Sequence, residues 1–129
     1  MAAFIHGLVA PDHFAEWWGY GAFFVAAGIA QGFYGAVVLF SGALEGESVL
    51  DRWSPRTLRA YYLAGIGGNA LIVALWLVTR TIGIPFFGPE AGVVEPVRPL
   101  DAASKIIELA LIALLSIQFR TTTARDAHA

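Results

Sequence analysis

The stretch from Trp17 to Leu44 contains no charged residue. An α-helix rises about 1.5 Å per residue, so roughly 20 apolar residues cross the hydrocarbon core of a bilayer. This run exceeds that length, and it confines the chain to folds in which a long helix is surrounded by lipid or by other apolar groups. A second uncharged stretch runs from Ala60 to Thr79. Composition agrees, with 57% hydrophobic residues and 14% charged ones, against about 45–50% and about 25% in soluble domains. The 129 residues therefore read as a single all-α membrane domain, a bundle of three transmembrane helices.

The spans are expected at about 12–42, 57–82 and 101–119. Asp12 supplies a helix cap for the first, and Pro11 is expected to end whatever precedes it. Ser41-Gly42 and Gly46 close its far end. Ser54-Pro55 opens the second, and Gly83, Pro85, Gly88 and Pro89 stop it. The third carries Lys105 and Glu108, so an interfacial amphipathic helix is the alternative. A span is preferred because Ile106-Ile107 and Leu109 to Leu115 are apolar all round the helix. Between the second and third spans, residues 83–99 hold four prolines and three glycines. Proline fixes φ and glycine permits turns, which points to an ordered outer loop. The polar tail 121–129 is expected to fray.

Lys and Arg in short loops set orientation. Arg52, Arg56 and Arg59 lie in the first connection, and Arg120 and Arg125 follow the third span. These two regions share a side in a three-span chain, which places the first loop and the C-terminus in the cytoplasm and the N-terminus outside. The first ten residues have no Lys or Arg and so lack the charged start of a secretory signal. The whole chain is read as mature, a multi-pass protein of a bacterial inner membrane.

A net charge of -2 provides no basic field for nucleic acid. The absence of cysteine removes disulfides, thiolate metal sites and cysteine nucleophiles. No phosphate loop or nucleophile elbow occurs, and Gly65-Ile66-Gly67-Gly68 lies inside a span, where it serves packing. The chain is not expected to be an enzyme on its own.

Polar groups in hydrocarbon need partners or functions. Gln31 and Asn69 sit near the middle of the first two spans and are expected to hydrogen-bond to each other. Arg80, Lys105 and Glu108 complete an intramembrane polar network, with Glu108 near mid-depth of the third span. Lys105 or Arg80 is its expected partner, and Asp101 or Glu16 is the expected partner of Arg80. Gly21, Gly28, Gly32 and Gly35 form a flat strip on the first span, to be met by Gly65 and Gly68 on the second or by another chain. Near the outer edge, His13 and Glu16 share a helix face, with His6 one short segment earlier. His6, His13, Glu16 and Asp101 are candidate ligands for a divalent metal, since imidazole and carboxylate suit copper, zinc or iron. Haem or a pigment is disfavoured, because no second histidine faces His13 within a span and His128 falls on the opposite side.

The blocks Pro11-Asp12-His13-Phe14-Ala15-Glu16-Trp17-Trp18 and Arg80-Thr81-Ile82-Gly83-Ile84-Pro85-Phe86-Phe87-Gly88-Pro89-Glu90 resemble stretches in small, uncharacterised bacterial multi-span membrane proteins. A later helix with Asp101 and Glu108 extends the likeness over most of the chain. The resemblance implies that the outer-face blocks belong to one shared design; it implies no activity. The leading expectation is a small structural subunit of a larger membrane assembly, contacting lipid and either other subunits or copies of itself. An outer-face metal-binding protein and an oligomeric proton or cation translocator working through Glu108 are the alternatives.

Overall fold

The computed structural model describes residues 1–43 and 49–126. Among them the chain forms four α-helices and no strand: α1 (Ala2–Glu16), α2 (Trp18–Ala43), α3 (Pro55–Thr81) and α4 (Pro99–Asp126), with a short 3-10 turn at Val49–Arg52 before α3. Gly46 and His128 lie outside the described residues.

The N-terminal segment departs most from expectation. Pro11 does not end a helix; it sits inside α1, and the break falls at Trp17 instead. Trp17 is extended (φ -168°, ψ 139°), and its N–H still donates to the His13 carbonyl at 2.9 Å. Its own carbonyl then accepts from Tyr20 and Gly21 in the first turn of α2. One residue thus closes one helix and opens the next, and the chain reverses. This reversal depends on missing side chains. A Cβ at Gly19 would enter the Trp17 ring, and one at Gly21 would enter the Phe14 ring. Further along, Gly28 faces the Ala3 carbonyl and His6, and Gly32 faces Ala3. Gly21, Gly28 and Gly32 on α2 therefore receive α1, not α3. Gly65 meets Tyr34 and Leu115, while a Cβ at Gly35 or Gly68 would meet nothing within 4 Å.

The second hairpin is α3 against α4. Ser54 caps α3, its hydroxyl accepting from the Thr57 N–H at 3.2 Å, with Pro55 at the first helical position. At the other end Gly83 takes φ +71°, and the Ile82 and Gly83 N–H groups both reach the Val78 carbonyl. A left-handed glycine is the usual way to satisfy the last carbonyls of a helix. The following loop is ordered, as its prolines suggest. Gly92 N–H donates to the Ile84 carbonyl at 2.8 Å and Glu95 N–H to the Thr79 carbonyl at 3.0 Å. The tail does not begin to fray at Thr121: α4 continues to Asp126, with the Thr121, Thr122 and Thr123 hydroxyls bonded back to the Gln118 and Phe119 carbonyls.

Close backbone packing is concentrated in the two hairpins, α1 with α2 and α3 with α4, with a smaller close approach of α1 to α4. Between hairpins, long side chains do the work. Gln31 donates to Asn69 at 3.1 Å, and Asn69 donates back to the Gly65 carbonyl at 2.8 Å. Tyr34 and Tyr61 stack at 4.4 Å, and each hydroxyl donates to the other residue's carbonyl, at 2.7 and 3.2 Å. Tyr61, Tyr62 and Leu115 form the apolar core there.

Two helices, α2 over Trp18–Val37 and α3 over Pro55–Thr81, are long and apolar enough to cross a membrane. The remaining helix of comparable length, α4, carries Asp101, Lys105 and Glu108 in its first third. Glu108 lies nine residues into α4, closer to its middle than to its start.

The packing at Gly65 makes a direct prediction. Gly65→Ala places a methyl 2.7 Å from both Leu115 and Tyr34, so it should lower unfolding stability in detergent micelles by about 1–3 kcal/mol. Gly7→Ala, where the space is open, should be neutral or slightly stabilising.

Candidate functional site: a buried carboxylate cluster and the cavity beside it

Glu108 is fully buried, with 0% of its surface exposed. An isolated carboxylate in such a place is strongly disfavoured by the loss of water. Three side chains compensate it. On Oε1 it accepts from His6 Nε2 and from Ser104 Oγ, both at 3.0 Å. On Oε2 it accepts from Lys105 Nζ at 2.5 Å. Ser104 and Lys105 come from the preceding turn of α4, four and three residues back, the spacing that brings helical side chains together. His6 comes from α1, 102 positions away in sequence. His6, Ser104 and Lys105 are themselves buried.

Toward the loop lies a second ionic group. Arg80, at the end of α3, donates to Glu95 at 2.8 Å and to Asp101 at 2.7 Å. Asp101 also accepts from the Arg98 N–H at 3.1 Å, which ties the loop to the first turn of α4. The guanidinium lies over the Trp76 ring, 5.9 Å from its centre, in a cation–π arrangement. His13 pairs with Glu16 at 2.7 Å and stacks flat on Phe24, ring centres 4.1 Å apart. Tyr20 donates to the Phe87 carbonyl at 2.8 Å, and the Trp17 ring meets the Phe87 ring edge-on, pinning the loop onto α2.

Between these groups is a cavity of about 440 Å³. Phe23, Phe24, Ile72 and Leu75 give it apolar walls, while His6, Trp76, Arg80 and Lys105 bring polar groups to it. Such a combination, apolar walls with a few polar groups, is the usual character of a small-molecule site.

The expected pairs Gln31–Asn69, Arg80–Asp101 and Lys105–Glu108 are all present. His6 is the exception. It does not join His13 and Glu16; it reaches Glu108 instead. The candidate metal ligands are thereby divided among three separate pairings, and among the described residues no three His, Asp or Glu side chains converge to hold a metal. The roles of Ser104 and of the Tyr34–Tyr61 pair were not evident from spacing. A signal for His6 did exist. It is seven residues from His13, hence on the same face of a continuous helix, in an otherwise apolar run. No protein family, curated protein or solved structure matches the chain.

The cluster predicts non-additive behaviour. Lys105→Met leaves a buried carboxylate without its cation and should cost about 3–5 kcal/mol of stability. Adding Glu108→Gln to the same chain should restore most of that loss, measured by reversible unfolding in micelles.

Proposed function

We propose that the protein is a small integral membrane subunit with a structural role in a larger assembly, and that α4 crosses the bilayer together with α2 and α3. The supporting observation for a third span is the closure of the Glu108 cluster. With Lys105, Ser104 and Glu108 turned inward, the surface of α4 presents Ile106, Leu109, Leu114 and Ile117. A helix whose charges are paired inside the bundle meets lipid as an apolar rod. Arg52, Arg56, Arg59 and Arg120 lie at one end of the bundle, which supports a cytoplasmic placement of that end. In this reading α1 is a partial helix returning along α2, so the first residues lie beside the middle of α2 and not beyond its outer end.

The single observation that carries the assembly reading is a bare strip of small residues on α3. Ala60, Ala64, Gly67 and Gly68 are exposed, and a Cβ at either glycine would touch nothing. Small residues let membrane helices approach closely, and here no helix among the described residues lies within 4 Å of a Cβ at either glycine. Ion passage through Glu108 is less well supported, because both of its oxygens are already engaged by His6, Ser104 and Lys105.

Native mass measurement after mild detergent extraction tests the assembly. The chain should travel with copies of itself or with other subunits, and Gly68→Ile should release it as a folded monomer. A wild-type chain that is monodisperse and alone would overturn the reading.

A further inference from the structure

We propose that the cavity between the hairpins binds a hydrophobic organic cation, an ammonium group carried on an aromatic body. The charge balance of the whole lining gives the first constraint. Its cations are Arg80 and Lys105, and its carboxylates are Glu90, Glu95 and Asp101. Arg80 is shared between Glu95 and Asp101, and Lys105 is held by the buried Glu108. Glu90 has no ion-pair partner among the described residues. With Glu108 set against Lys105, carboxylates exceed cations by two. Protonating both lining histidines, His6 on Glu108 and His13 on Glu16, still leaves one carboxylate over. Arg98, beside Asp101, is exposed and outside the lining. A cleft of one sign between low-dielectric walls concentrates counter-ions, so this one selects a cation over a neutral or anionic occupant.

Wall chemistry gives the second constraint. Among the described residues no three His, Asp or Glu side chains converge to hold a metal, so a bare metal ion finds no cage. Aromatic rings line the space instead, and the face of such a ring attracts an ammonium group. Arg80 already lies over Trp76, and His13 over Phe24. Among the described residues, Tyr20, Phe23, Phe86 and Phe87 line the cavity without a group of that kind on them. The volume of about 440 Å³ falls within the roughly 300–1,000 Å³ of small-molecule sites, enough for an aromatic body beside the ammonium.

Exposure gives the third. Glu90 and Phe86 line the cavity and are also exposed, so the cavity opens past them. Glu90 is within reach of solvent, which lets it persist without a cation of its own. An exposed carboxylate adds modestly to binding. The rings therefore supply most of the affinity, and Glu90 supplies a preference for positive charge. These features belong to one chain and do not depend on the assembly reading.

The test uses the full chain in nanodiscs of zwitterionic lipid, titrated with three probes that share one aromatic body: naphthylmethyl-trimethylammonium, naphthylmethanol and naphthylacetate. Heats are read against protein-free nanodiscs. The ammonium should bind saturably at one site per chain. The alcohol should bind on the order of tenfold more weakly, and the carboxylate more weakly still. Glu90→Gln should weaken ammonium binding by about 2- to 5-fold. It should leave alcohol binding and the unliganded thermal midpoint unchanged. Absence of saturable ammonium binding overturns the proposal. So does equal binding of ammonium and alcohol, or a preference for the ammonium that Glu90→Gln leaves undiminished. Each of these failures leaves the measured mass of the assembly unaffected, so the two readings fall separately.

Discussion

A carboxylate removed completely from solvent needs a full set of donors around it, and those donors must be held where they are. Glu108 meets this demand with Ser104 and Lys105 from its own helix and His6 from α1. The local pair supplies charge neutrality; the distant histidine supplies position. Without His6, α4 would still pack on α3, but it would lose its side-chain hydrogen bond to the first hairpin. The rest of the arrangement follows from that tie. Once α1 is fixed against α4, the loop folds over the end of α2, where Tyr20 and Trp17 hold Phe87.

The two hairpins also show how one chain uses close and distant packing for different ends. Where glycine removes the side chain, backbones approach, as along Gly21, Gly28 and Gly32 against α1. Where long side chains stand between helices, as with Gln31–Asn69 and Tyr34–Tyr61, the backbones stay apart. Close packing makes each hairpin a stable unit, and the wider spacing between the units leaves room for the cavity. The ordered loop closes over one end of it, helped by Gly88, whose φ of +83° and lack of a Cβ leave room for the Tyr20 hydroxyl.

Much of this was legible in the sequence. Long uncharged runs gave α2 and α3, and a three-residue spacing gave the Lys105–Glu108 pair on α4. Asn69 and Gln31 could be matched because each is a lone polar group at similar depth in an apolar helix. What stayed hidden was the return of α1. Pro11 suggested a stop, since proline removes one helical hydrogen bond. That loss is small beside the packing of a whole apolar face against a glycine strip, and tertiary packing won. Missing α1 misplaced His6, and misplacing His6 made a metal triad look reasonable. Residue spacing describes neighbours on one helix; it carries no information on which helix lies opposite.

The bond between His6 and Glu108 has a bearing on how the molecule is made. It joins α1 to α4, the first and last of the described helices. Each hairpin forms from segments adjacent in the chain, so each can assemble early and locally at modest entropic expense. The core, however, cannot be completed until α4 has emerged, and until then His6 waits without its carboxylate. The emergence of α4 is therefore a fastening step: it carries its own lysine and serine with the glutamate and needs only one residue, made a hundred positions earlier, to be locked in place.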